Sequence, residues 1–190
     1  MKTVSIPWKD KNYECETYEA GDLPKILEVF FFWKTTALLA EKTETKNSPL
    51  PEKFSAHFCC FACGLAYKKP GAGPDAFRFA KDNKALAVEL KATITTTGFT
   101  DIKRDQNFDE LYWLSFADYN ALRYEIYKFK KREIDFFVQR SRTNRDRATI
   151  NLKNVADHFK LKPVQTGRIG VIIDKQPMPL ALAAKKNGTR

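Results

Sequence analysis

The 190-residue chain is poor in the residues that soft-metal and thiol chemistry use. Its only histidines are His57 and His158, and Cys60-Phe61-Ala62-Cys63 has no second Cys-x-x-Cys to complete a four-ligand zinc set. The stretch EKFSAHFCCFACGLAYKK has helical length and no strand alternation. Cys59, Cys60 and Cys63 are therefore expected to pack as small apolar side chains in a buried helix. No apolar run approaches the roughly 20 residues of a membrane span, and MKTVSIPWKDKNYECE lacks the apolar core of a signal peptide. A cytoplasmic protein with reduced thiols is the expectation. No internal repeat is visible and no linker splits the chain.

Aromatic residues and positive charge are plentiful instead. Fifteen Phe, seven Tyr and three Trp argue against disorder. The length suits one domain with a real core, expected over residues 1–176, with 177–190 as a tail that little holds. The formal net charge of +10 favours an anionic partner, nucleic acid before a membrane surface. The charge is also concentrated. Twelve Lys or Arg stand against five acids between Arg123 and Lys162, giving seven of the ten net positive charges.

The expected order is helix, helix, then strands with helices near the end: a mixed α/β fold around one small sheet. Asp22-Leu23-Pro24 opens a helix (22–46) with a wide apolar face carrying Ile26, Val29, Phe30, Trp33, Ala37 and Leu38. Pro51-Glu52 opens a second, to about Lys69. TITTTGFTDIKRDQN is expected to be a polar loop. FDELYWLSFAD reads as a strand covered on both faces, and LRYEIYKFKK as a half-exposed one. REIDFFVQR and INLKNVADHFKL read as helices, SRTNRDRAT as a basic connection, and GRIGVIIDKQ as a last strand.

Chemistry is expected at GPDAFRFAKDNKALAVELK. With Asp82-Asn83 as a two-residue hairpin turn, Ala76 falls opposite Glu89, and Asp75 opposite Leu90. That brings Asp75 to the same end of the ladder as Glu89 and Lys91, which share one face because strand side chains alternate. Val88 and Leu90 then point to the core. Two carboxylates and an ammonium at one sheet edge suit a magnesium ion with a positioned water, as phosphodiester hydrolysis requires. The triplet [Asp/Glu]-x-Lys occurs four times, but only Glu89-Leu90-Lys91 has strand-like apolar neighbours, and Pro-Asp occurs once.

These residues, with the run AVELKATITTTGFTDIK, resemble the PD-(D/E)xK nuclease core, and within it small type II restriction endonucleases of the PvuII kind. The later FDELYWLSF and the Arg-rich SRTNRDRATINLKNV resemble, in order and spacing, short endonucleases that cut GC-N-GC sites. The resemblance covers roughly residues 24 to 162. It implies a catalytic sheet over 73–130 and a basic DNA-binding region over 131–162. Asp75 and Glu89 would hold Mg2+ with the Leu90 carbonyl, and Lys91 would be the catalytic lysine. Glu52 is the candidate extra acid, against simple helix-dipole placement in a first turn; His57 fits packing better than catalysis. Double-stranded DNA would meet Thr95, Thr96, Thr97 and Lys103 after the catalytic strand, and Arg142, Asn144, Arg145 and Arg147 in the basic connection. Cutting both strands of a palindrome implies a homodimer, with helix 24–40 as one source of the interface and core packing as its alternative role. The setting implied is a prokaryotic cytoplasm, with a cognate DNA methyltransferase as genetic partner. A junction resolvase or repair nuclease of the same superfamily, and a non-enzymatic nucleic-acid-binding module, are the competing readings.

Overall fold

The computed structural model describes residues 1–43, 50–95, 97–118, 121–141 and 146–169. It contains two compact units: Met1–Ala92 with Asn107–Leu111, and Thr93–Gln106 with the chain from Tyr112.

The first unit opens with strands, contrary to the expected order. β1 (Lys2–Trp8) and β2 (Lys11–Thr17) form an antiparallel hairpin, with Trp8 paired to Lys11. Lys9 takes the left-handed conformation at the turn, φ 53°. Alternation was the available signal: Val4, Ile6 and Trp8 on one strand meet Tyr13 and Cys15 on the other. They pack with Ala66 and Phe77 into an apolar cluster in which Ile6, Cys15, Ala66 and Phe77 are buried.

Helix α1 (Leu23–Lys42) follows, burying Leu23, Ile26, Leu27, Phe30, Trp33 and Ala37. Helix α2 (Glu52–Cys63) packs Phe54 against Phe30, ring centroids 5.0 Å apart. Buried aromatic side chains of this size each contribute about 1.5–3 kcal/mol. The expected helix to Lys69 ends six residues early. Gly64 adopts φ 64°, and the Leu65 N–H bonds back to the Cys60 carbonyl, 2.9 Å. A glycine entering the left-handed region terminates a helix in this way. Residues beyond it become β3 (Ala66–Lys68), followed by β4 (Ala76–Phe79) and β5 (Ala85–Thr93). The strand order is β1-β2-β3-β4-β5, with antiparallel pairing throughout.

In the second unit, the expected polar loop contains a strand, β6 (Phe99–Lys103), paired antiparallel with β9 (Arg147–Asn151). Strand β7 (Glu110–Asp118) is buried from Leu111 to Phe116, as its unbroken apolar run requires. β8 (Arg123–Lys130) is less exposed than its alternation suggests. Tyr124 and Ile126 are buried on one face, and Tyr127 and Phe129 on the other. Trp113 stacks on Tyr127 at 5.3 Å, which accounts for the second buried face. Helix α3 (Lys131–Arg140) matches its expected span. Helix α4 (Leu152–His158) starts two residues late because Ile150 and Asn151 belong to β9. The Asn151 side chain caps it, accepting from the Asn154 N–H at 3.1 Å. The last strand, β10 (Gln165–Arg168), pairs with β8 and lies mostly ahead of the expected segment. The remainder of that segment and the tail fall outside the described residues. The mixed α/β class therefore holds, with more antiparallel strand than one small sheet.

Candidate active site

The hairpin β4–β5 is closed by three residues, not two. Ala80 donates its N–H to Lys84 O (2.9 Å), Asn83 donates to Ala80 O (3.0 Å), and Asn83 sits at φ 59°. This is a tight turn followed by a left-handed residue, a common three-residue hairpin loop, and asparagine tolerates the positive φ. The extra turn residue moves the register by one: Ala76 faces Val88, and Phe77 faces Ala87.

That shift ends the regular ladder one residue short of Asp75. Directly opposed residues share a face, and a one-residue slip reverses it. Under the expected register, position 75 lies across from Leu90, whose side chain alternates away from Glu89. Under the observed one the ladder ends at Ala76–Val88, and Asp75 joins the same rung as an extra residue. At Asp75 the chain also leaves the regular ladder. Its N–H donates to Val88 O at 3.1 Å, and its carboxylate Oδ2 accepts the Leu90 N–H at 2.9 Å. On the neighbouring strand, the Lys68 N–H donates to the Asp75 carbonyl, 3.0 Å.

Glu89 is only 3 % exposed, and its Oε1 lies 2.7 Å from Lys91 Nζ. Glu89 and Lys91 thus share a face, as alternation required. Val88 is fully buried, while Leu90, expected in the core, is only half-buried. Burial first, and the neighbouring Glu89 carboxylate second, push the Asp75 carboxyl up to about 7; the Leu90 N–H and Lys91 act in the opposite direction. Two acids held this close strain against their own charge, which a cation relieves.

A cleft of about 650 Å³ opens here, lined by Asp75, Leu90, Lys91, Glu52, Tyr67 and Lys68 among others. Glu52 is exposed on the first turn of α2 and borders the cleft. Among the described residues no three His, Cys, Asp or Glu side chains group closely enough to hold a metal ion by themselves. The oxygen donors that this end of the hairpin could offer a metal ion are the Asp75 and Glu89 carboxylates plus main chain. That small hard-donor set fits magnesium, which keeps several waters, rather than calcium or zinc.

Lys68 lies in AYKK, which by sequence reads as a helix end. It is 6 % exposed, and its Nζ donates to the carbonyls of Lys69 (2.8 Å) and Gly71 (2.7 Å), fixing the loop that leads to Pro74. His57 lies 2.8 Å through Nδ1 from the Tyr18 hydroxyl and packs on the Tyr67 ring at 4.5 Å. Burial holds its pKa below the usual range, in keeping with packing. Cys15, Cys59 and Cys60 are buried free thiols, and Cys63 is half-buried and free. A hydrogen bond to Cys63 and burial raise Cys59, and burial raises Cys60, so both stay protonated and unreactive.

Thr95 and Thr97 are exposed in the second unit, their hydroxyls 3.4 Å apart. Lys103 and Arg147 are exposed and face each other across β6–β9. Thr96, Arg142, Asn144 and Arg145 lie outside the described residues. No helix among those described is long and apolar enough to cross a membrane.

Comparison with curated proteins and with solved structures gives no match. A family model described as Bsp6I restriction endonuclease matches residues 18–151, which include helices α1 to α3, the hairpin with Asp75, Glu89 and Lys91, and strands β6 to β9. The chain belongs to the Bsp6I restriction endonuclease family.

Proposed function

We propose that this protein is a magnesium-dependent type II restriction endonuclease of the PD-(D/E)xK kind, PvuII-like, which cuts double-stranded DNA as a homodimer at a GC-N-GC-type site. The observation that carries the reading is the meeting of Asp75, Glu89 and Lys91 at one end of β4–β5. Asp75, Glu89 and the Leu90 carbonyl would hold the ion. When bound, magnesium offsets the charge that builds on the phosphate and lowers the cost of forming hydroxide from water. The protein's own groups do the positioning. The Leu90 N–H fixes the Asp75 carboxylate, and Glu89 fixes Lys91. Lys91 Nζ then donates to the attacking water and holds it in line with the phosphorus, its ammonium opposing the developing negative charge. Glu52, at the rim of the same cleft, fits an accessory role in orienting water.

Thr95, Thr96, Thr97, Lys103, Arg142, Asn144, Arg145 and Arg147 supply the DNA contacts in this reading. The GC-N-GC assignment rests on the spacing of FDELYWLSF and the Arg-rich segment. The dimer rests on the need for two active centres at a palindrome, and a cognate methyltransferase would protect the host genome. Digestion of a plasmid in magnesium, followed by sequencing of the cut ends, tests it. Discrete fragments ending in one shared motif are expected. Nicking that follows DNA shape instead would favour a resolvase-type nuclease.

A further inference from the structure

We infer that the β6–β9 ribbon enters the major groove of DNA and that Asp101, held by Thr149, reads a cytosine there by accepting from its N4 amino group. The inference rests on the proposal that the chain is a site-specific DNA enzyme, and names the element that reads the site.

The ribbon has two unlike faces. Ile102, Ala148 and Ile150 are buried, so core packing fixes which side looks out. The other face carries three rungs, Phe99–Asn151, Asp101–Thr149 and Lys103–Arg147. The ribbon is anchored at both ends. Arg104 donates to Val138 O at 2.8 Å, and the Leu152 N–H donates to Gly98 O at 3.0 Å. A two-stranded ribbon is narrow enough for the major groove, about 12 Å wide.

The charges on this face select the partner. Lys103 and Arg147 put two cations on one rung, where an anion between them bridges both. An exposed carboxylate two residues away is unfavourable beside phosphates unless it meets a donor. In the major groove the donor that suits a carboxylate is the cytosine amine. Thr149 Oγ1 donates to Asp101 Oδ1 at 2.6 Å, which orients the carboxylate and leaves Oδ2 to accept from a base. The Asn151 side-chain oxygen is engaged in capping α4, so Asp101 is the better reader on this ribbon. Phe99, 60 % exposed, supplies an apolar surface on the same face.

Selection of bound duplexes from a random pool, using full-length Lys91→Ala protein in magnesium, tests this without needing cleavage. Adding Asp101→Asn should erase the preference at one C·G pair in each half-site, by ~10-fold or more, while the remaining positions persist. Adding Thr149→Val should weaken the same position. Lys103→Ala should lower affinity for all sequences alike and reduce the salt slope by about 1. An unchanged consensus in both Asp101→Asn and Thr149→Val, or no consensus in the Lys91→Ala parent, overturns the inference. A clear consensus from a wild-type protein that does not cut DNA would count against the nuclease proposal alone.

Discussion

The Asp75 carboxylate accepts the Leu90 backbone N–H at 2.9 Å. A side chain here continues a ladder that the main chain leaves at Asp75. The bond carries Asp75 across β5 to Glu89, and through Glu89 to Lys91.

The three residues should fail separately as well as together. Asp75→Asn, Glu89→Ala and Lys91→Ala are each expected to lower the cleavage rate by about 100-fold or more, with folding checked by circular dichroism. Glu52→Gln, on an exposed first turn, should leave stability within about 0.5 kcal/mol. Its rate should fall by only about 10-fold or less, as expected for a group that assists positioning. Full cleavage by both Glu89→Ala and Lys91→Ala would exclude this site.

Stability should respond to pH through Asp75. Its carboxyl is pushed from 3.8 up to about 7. Between those values the folded chain retains a proton that the unfolded chain has released. The Asp75 contribution to metal-free stability is therefore fully present below about pH 4 and is lost as pH rises through about 7. Asp75→Asn keeps an acceptor for Leu90 and removes the buried charge. Above about pH 7 in a chelator it should be more stable than wild type by ~1–3 kcal/mol, with the two equal near pH 4. Magnesium added at the higher pH should stabilise wild type and leave Asp75→Asn unmoved. Urea unfolding curves measure all of these differences; parallel pH profiles for the two proteins would contradict them.

Gly98 is constrained twice. It sits at φ 62°, and a Cβ there would lie 2.5 Å from Trp113 Cζ2. The indole cannot move aside freely, because its Nε1 donates to Thr93 Oγ1 at 2.9 Å. Gly98→Ala is expected to cost ~2 kcal/mol or more. A midpoint equal to wild type in urea would mean that the ring relaxes at no cost.

The outer side of α1 is the contact expected for the proposed dimer. Phe32 is 75 % exposed and Leu39 55 %, one heptad apart and so on the same stripe. Paired with a second copy, this stripe would be buried. Phe32→Asp with Leu39→Asp should convert a dimer to monomer in sedimentation, with duplex cleavage giving way to slow nicking. An unchanged dimer would move the interface elsewhere.

Much of the site can be read along the chain. The period-two alternation of Ala-Leu-Ala-Val-Glu-Leu-Lys by itself sets Glu89 and Lys91 on one face, because the pleat leaves no other choice. The unbroken apolar run of β7 likewise demands burial on both sides. Other features depended on partners distant in sequence. The N-terminal strands are held by pairing with each other and with β3, which lies past both helices. The burial of Lys68 depends on carbonyls of a loop whose path the strands set.

The hairpin divides these two kinds of information. Its existence is local, since two alternating runs flank residues that favour turns. Its register is not, because Asp82-Asn83 fits either a two- or a three-residue loop. Pairing of β4 with both β3 and β5 fixes the longer one, and a bulge at Asp75, beside the Ala76–Val88 rung, then brings its carboxylate to the Leu90 N–H. The sequence by itself determined which charges are available and which strand carries the Glu-Lys pair. Only the tertiary structure decided that Asp75 joins them, because strand pairing sets where the ladder ends and a bulge there, not local propensity, carries its carboxylate to β5.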